Sequence, residues 1–298
     1  MRPDGKLRLG WWSLAVSLLV LGLKYLAWRV SGSAALLSDA IETIINVAAA
    51  IGALWALTVA SRPPDENHNY GHEKAEYLSA VMEGVLVILT AIGIAVVAWQ
   101  DWWTPTPLLA PWRGVALNAL GGLVNLGWGL ALVRAGRQRR SPALTANGRH
   151  VISDVWTTVA LVIGVSLIPI TGYLRLDAII SGLVAVNVLR VGFEMTRRSI
   201  AGLMDEAPGS EMMQAARAVI SETAEGALEA HDLRFRSAGS ISFIDFHLVV
   251  PGEMRVQDAH VICDRIEHAL RRHFGRAVIH IHVEPEDKAK QTGVPVVP

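Results

Sequence analysis

Residues 150–154 read HVISD, which sets His150 four residues before Asp154. In a helix that spacing places an imidazole and a carboxylate one turn apart on one face. The segment that follows, VWTTVALVIGVSLIPI, is apolar enough for lipid. A second pair stands in SDAIETIINV, where Glu42 and Asn46 are four apart and Asp39 lies three before Glu42. A charged side chain at mid-bilayer costs about 2.5–3.5 kcal/mol on insertion scales. Packing alone does not recover that cost, so such groups must meet one another, water or an ion. Two helices that each offer two polar side chains at i and i+4 make a four-ligand site. A set of imidazole and carboxylates suits a divalent transition metal. A hydrogen bond between helices accounts for Asn46 equally well, and Asp39 reads either as a helix cap or as a group behind the ligands. Glu83 is a further carboxylate within an apolar run, with no spaced partner.

Two more clusters lie outside the apolar segments. The stretch RPPDENHNYGHEKAEY crowds Asp65, His68 and His72 into eight residues, enough to close around one ion or simply to form a solvated loop. HEKAE approaches the HExxH pattern of zinc proteases, but Glu76 stands where the second His belongs. No general base beside an open three-ligand metal is evident, so an enzyme is not expected. Near the C-terminus, ISFIDFHLVV alternates with period two and puts His247 on a face with Phe243 and Asp245. AVIHIHVEPE does the same for His280, His282 and Glu284, against Ile279, Ile281 and Val283 on the other face. His231 and His260 add two imidazoles from a strand and a helix. Of the 10 histidines, only His268 and His273 fall outside these groupings, which argues against mere surface decoration.

The elements that must position these residues follow from composition. The chain has 298 residues, 52% hydrophobic and 18% charged, with mean hydropathy +0.36; soluble domains carry about a quarter charged residues. The charges balance at 27 basic and 27 acidic, which points to no nucleic acid. One cysteine, Cys263, excludes an intramolecular disulfide and a cysteine zinc site. A span needs about 20 apolar residues, and six candidates meet that: Trp11–Val30, Ala34–Ala60, Leu78–Trp99, Trp112–Val133, Val151–Ile170 and Leu176–Met195. The first follows a basic stretch without a cleavage site and reads as a span, not a signal peptide. Lys/Arg cluster at the N-terminus (Arg2, Lys6, Arg8), after span two (Arg62, Lys74) and in RAGRQRR after span four. This bias puts both termini in the cytoplasm, with Arg175 the main exception. Lys24 and Arg29 are expected to snorkel outward from the end of span one.

From Pro208 the apolar excess ends. GSEMMQAARAVISETAEG reads as an amphipathic helix with Ser210 as N-cap, and LEAHDLRFRS and ISFIDFHLVV flank the turn signal AGS. VQDAHVICDRIEHALRRHFG is a second helix closed by Gly275, and AVIHIHVEPE a third strand. The expected architecture is a six-helix membrane domain over residues 1–205 and an αββαβ, ferredoxin-like α+β domain over 206–298.

On these residues the chain resembles the cation diffusion facilitators, a family of dimeric metal/proton antiporters. The likeness covers the six spans, the histidine loop, the basic loop and the tail. It implies a transport site at Glu42, Asn46, His150 and Asp154, and a loop site at Asp65, His68 and His72. It also implies a regulatory tail site at His231, His247, His260, His282 and Glu284, and a charge interlock between Lys74 and Asp205. His280 is outside the family's usual set. Family members often carry Asp or His at the Glu42 position and usually Asp at that of Asn46; a neutral amide is a weak zinc ligand and exchanges no proton. The resemblance further implies a homodimer in a lipid bilayer, here a bacterial inner membrane. Its substrate and regulator would be zinc, with iron, cobalt, manganese or cadmium as other choices, exchanged for protons without an organic cofactor. A membrane-anchored metal sensor that transports nothing is the competing reading.

Overall fold

The computed structural model describes residues 4–138, 142–239, 241–290 and 294–295. These divide into two compact units: residues 1–58 with 78–198, and residues 59–77 with 199–298. The loop after the second span therefore belongs with the tail, a grouping that the sequence alone does not suggest.

The first unit is built from six helices: α1 (Asp4–Ser31), α2 (Ala34–Ala60), α3 (Ala75–Trp103), α4 (Pro111–Gln138), α5 (Pro142–Thr171) and α6 (Leu176–Leu203). All six contain stretches long and apolar enough to cross a membrane. Pro111 and Pro142 open their helices at the position where the missing N–H is not needed. Leu36, Ile94, Leu161, Val165, Ile168 and Val188 form the buried core, while Leu89, Ile163, Leu183, Val186 and Phe193 point outward, as a lipid-facing surface requires.

The N-terminus of α2 has amides that no lipid can satisfy. Asp177 of α6 supplies the acceptor. It accepts from Ser33 Oγ at 2.6 Å, from the Ala34 N–H at 2.6 Å and from the Ala35 N–H at 3.3 Å. Helices α4 and α5 approach through glycine: a Cβ on Gly148 would meet the Val133 nitrogen at 2.7 Å and the Gly129 oxygen at 2.8 Å. Lys24 departs from expectation. It does not snorkel; it is 2% exposed, with Nζ 2.7 Å from Asp39 Oδ1. A carboxylate on the adjoining helix takes its ammonium instead. Arg29, by contrast, is exposed.

The second unit holds α7 (Ser210–Thr223), β1 (Glu229–Ala238), β2 (Ile241–Val250), α8 (Val256–Phe274), β3 (Ala277–Pro285) and β4 (Val294–Pro295). The sheet order is β3-β2-β1-β4, with β1 and β2 antiparallel, β2 and β3 parallel, and a fourth two-residue strand added to the expected three. Ile244, Phe246, Leu248 and Val250 alternate onto the face that packs on Ile220, Ile262, Ile266 and Leu270 of the helices. Each such side chain, fully buried, contributes about 1.5–3 kcal/mol. The opposite face carries Asp245 and His247 together with the buried Phe243 and Val249. Gly275, at φ 79°, ends α8 in a conformation that costs other residues more. Gly209, not Ser210, is the N-cap of α7; Ser210 is its first helical residue.

Candidate metal centres

Glu42 and Asn46 lie on α2 and Asp154 on α5, so the sequence pairs face each other only if the two helices pack with the right rotation. They do: Asn46 Nδ2 donates to Asp154 Oδ2 at 3.0 Å. The amide nitrogen faces the carboxylate because an ionised carboxylate can only accept. Glu42, Asn46, Glu83, Thr90, Val188 and Met195 line a cavity of about 20 Å³, room for about one water. Glu83, unassigned from sequence, thus borders the same space as Glu42. Glu42 Oε2 is buried and accepts no hydrogen bond among the described residues. His150 lies on α5 one turn before Asp154; its side chain is outside the described residues. Asp39 is neither a helix cap nor a lining residue of this cavity; it is the partner of Lys24.

In the loop, Asp65, His68 and His72 present one ligand atom each within 4.8 Å of one another. Asp65 Oδ1 lies 3.1 Å from His68 Nδ1 and Oδ2 lies 3.3 Å from His72 Nε2. The backbone N–H groups of His68 and Asn67 also donate to Oδ1, at 2.7 and 3.0 Å, which folds the loop around the carboxylate. The His68 N–H foremost holds the Asp65 carboxyl below the usual carboxylate range, so it is ready as an anionic ligand. His72 Nδ1 is buried with no hydrogen-bond partner among the described residues.

In the tail, strand register assembles the imidazoles. His231 of β1 is opposite His247 of β2, which is opposite His282 of β3; Val249 is opposite Glu284. Ring centroids are 5.3 Å apart for His231 and His247 and 5.0 Å for His247 and His282. Glu284 comes within 3.2 Å of His231 Nε2, 3.1 Å of His247 Nδ1 and 3.7 Å of His282 Nε2. Glu229 Oε1 lies 3.2 Å from His231 Nδ1, yet both His231 nitrogens and His247 Nδ1 make no hydrogen bond among the described residues, because these carboxylates are close but misaligned. Buried imidazole nitrogens that converge without being satisfied fit a metal better than a salt bridge. Among the described residues of the tail, His231, His247 and Asp232 present one ligand atom each within 4.8 Å of one another. Asp232 was not singled out from sequence. It sits at a β-bulge with φ 52°, and the Lys290 ammonium at 2.5 Å holds its carboxyl below the usual range. His260 lies on α8, 75% exposed, with Asp264 3.8 Å away. His280 pairs with Asp245 at 2.9 Å on the open sheet face.

Lys74 and Asp205 meet at 2.9 Å, and Arg236 adds a second cation to Asp205 at 3.2 Å. Hydrogen bonding from Lys74 is the main reason that the Asp205 carboxyl is held low. The guanidinium of Arg236 also lies over the rings of Phe243 (4.1 Å) and Tyr70 (5.9 Å).

Residues 11–204 match the family model described as the cation efflux transmembrane domain, and residues 208–286 that of the cation efflux protein cytoplasmic domain. An uncharacterized transporter of Synechocystis sp. is 38% identical over 278 residues, 93% of this chain and 90% of the relative. Cation-efflux pump FieF of Serratia proteamaculans is 30% identical, over 91% of this chain and 90% of its own length. FieF of Yersinia pestis is 31% identical with the same coverage. Two solved forms of CzrB, one the Zn form, share 46% identity over 29% and 27% of this chain and 98% and 99% of theirs, with TM-scores of 0.28 and 0.26.

Proposed function

The chain belongs to the cation efflux family, and on that premise we propose that it exports a divalent transition-metal cation, zinc first, in exchange for protons. It is a multi-pass membrane protein of a transporter family, not of an enzyme family. In this reading residues 1–205 carry the transport and 206–298 the regulation. The protein works as a homodimer in a bacterial inner membrane, with both termini in the cytoplasm. The observation that carries the reading is the Asn46–Asp154 contact across α2 and α5, with the unsatisfied Glu42 one turn away.

Metal arrives from the cytoplasm between α2 and α5. Binding needs a neutral His150 and ionised Glu42 and Asp154, so metal and protons compete for the same atoms. Protons from outside reload these groups and release the metal. An imidazole, with an ordinary pKa near 6.5, suits such an exchange. Asn46 exchanges no proton; it holds Asp154 in the metal-free state. Imidazole favours Zn²⁺, Fe²⁺ or Co²⁺ over Mn²⁺. The loop set and the tail set suit a regulatory ion, which would supply positive charge to draw the histidines and carboxylates of each set together.

The test is flux into proteoliposomes under a pH gradient, with Zn²⁺, Fe²⁺, Co²⁺ and Mn²⁺ supplied separately to wild type and Asp154→Ala. Proton-coupled flux of one metal, lost in the variant, is expected. Absence of flux for every metal, with tail binding intact, would move the reading to a membrane-anchored sensor.

A further inference from the structure

The transport reading leaves Arg175 and one half of the α3–α6 pair without a task. In their other half these two helices touch. A Cβ on Gly84 would lie 3.2 Å from the Gly192 oxygen, and one on Gly192 would lie 3.1 Å from the Gly84 oxygen. Toward Trp102 and Arg175 the helices part. A Cβ on Gly182 would meet nothing within 4 Å, and a groove of about 480 Å³ opens beside it, within the range of about 300–1,000 Å³ that ligand sites occupy. Ala91, Ala95 and Ala98 line it from α3, and Ala178, Gly182 and Ala185 from α6. Each set stands at i, i+4 and i+7, on one face of its helix. Facing rows of small residues ordinarily let two helices close on each other. Here they leave a space instead, bordered by the exposed side chains of Ile92, Val186 and Leu189.

The dimensions fit a single acyl chain. From Ala91 to Trp102 on α3, and from Ala178 to Leu189 on α6, is eleven residues. At 1.5 Å per residue that is about 16 Å, the depth of one leaflet of a hydrocarbon core about 30 Å thick. A volume of about 480 Å³ over that length gives a mean cross-section of about 30 Å². A helix of a second copy, about 10–12 Å across, needs roughly three times as much.

A second observation says which lipid. Trp102 lines the groove, and the guanidinium of Arg175 lies over its ring, 5.1 Å from the centroid. Among the described residues the exposed Arg175 side chain has no ion pair and no hydrogen bond. The two carboxylates near it in the chain do not take it. Asp177 is engaged by Ser33 and by the Ala34 N–H, and Asp101 is half-buried. A guanidinium stacked on a ring keeps its N–H fork, which matches the oxygens of a phosphate. Arg175 is also the main exception to the charge bias of the loops, so topology does not account for it.

We propose that the groove between α3 and α6 is a binding site for one anionic phospholipid. Its acyl chain lies against the small residues of the two helices and its phosphate takes the Arg175 fork. The chain fills the space that the small side chains leave, and Trp102 marks the boundary between chain and headgroup. The site does not depend on the transport reading.

The test uses the full-length protein in detergent, mixed with phosphatidylglycerol or with phosphatidylcholine of identical acyl chains, with retained lipid counted by native mass spectrometry. About one phosphatidylglycerol per chain is expected, held at least about tenfold more tightly than phosphatidylcholine, as one hydrogen bond to a charged group supplies. Arg175→Gln should erase that preference. Gly182→Leu fills the groove from a position with open space and should abolish retention of both lipids. Gly127→Leu on α4, equally open, should bind as wild type does. If Gly182→Leu does not reach the membrane, Gly182→Met is read by the same criterion. Equal retention of the two lipids by wild type overturns the proposal. So does full phosphatidylglycerol retention in the Gly182 variant; if that variant also loses its dimer, the groove belongs to a second copy. Displacement of the lipid by inorganic phosphate at equal concentration would overturn it too, since the acyl chain would then contribute nothing.

Discussion

Gly148 sits two residues before His150, where the backbones of α4 and α5 come close, and replacing it by alanine is a sharp test of what positions the proposed transport site. A Cβ there would lie 2.7 Å from the Val133 nitrogen and 2.8 Å from the Gly129 oxygen, against 3.4–4 Å for ordinary contact. Both neighbours are backbone of α4 and do not rotate away. The helices must part by about 0.7 Å or more, since repulsion inside contact distance is steep. A shift of that size carries α5 far enough to take the 3.0 Å Asn46–Asp154 hydrogen bond out of range. Metal ligands are held to within about 0.2 Å of their proper distances, so a displacement several times larger disables the site. The overpacking itself costs about 1–3 kcal/mol. Gly148→Ala should therefore cut proteoliposome flux by at least about tenfold, well within the effect that about 1 Å of misplacement has at a reacting centre. The protein should still elute as a folded dimer with a lowered melting temperature. Gly127→Ala is the control, because a Cβ there meets nothing within 4 Å; it should transport as wild type does. Wild-type flux in Gly148→Ala would refute the reasoning, and equal losses in both variants would show that helical glycine, not this contact, is the cause.

Two further outcomes follow from the second unit. Asp205 has a folded-state pKa below its ordinary value, chiefly through Lys74, so its pair contributes stability above the unfolded value of about 3.9 and loses it as pH falls through the lower folded value. The difference in unfolding free energy between wild type and Asp205→Asn should be flat above about pH 5, shrink as pH falls, and vanish only below the folded value; at 41% exposure of both partners it should stay under about 1 kcal/mol. A difference that grows on acidification would contradict the sign. For the tail, chelation should lower the melting temperature of wild type, since an ion at a hundredfold its Kd stabilises by about 2.7 kcal/mol. His247→Ala should start at the lower value, respond little to chelator, and need more Zn²⁺ for activation. A full chelator response in that variant would remove His247 from the site.

Much of this protein is legible in its residues because the signals are local. Six apolar runs declare six helices, and i, i+4 spacing puts Glu42 with Asn46 and His150 with Asp154 on single faces. Period-two alternation separates Ile244, Phe246 and Leu248 from Asp245 and His247. Contacts between elements were beyond that reach. Spacing does not say how α2 and α5 are rotated about their axes, and that rotation brings Asn46 to Asp154. Alternation does not give strand register, and the parallel register of β2 and β3 sets His247 beside His282. Asp232 joins the tail cluster through a bulge at φ 52°, Asp177 caps a helix more than a hundred residues away, and Lys24 turns inward to a carboxylate on the next helix. Each of these depends on partners distant in the chain, whose positions exist only once the helices and strands have packed.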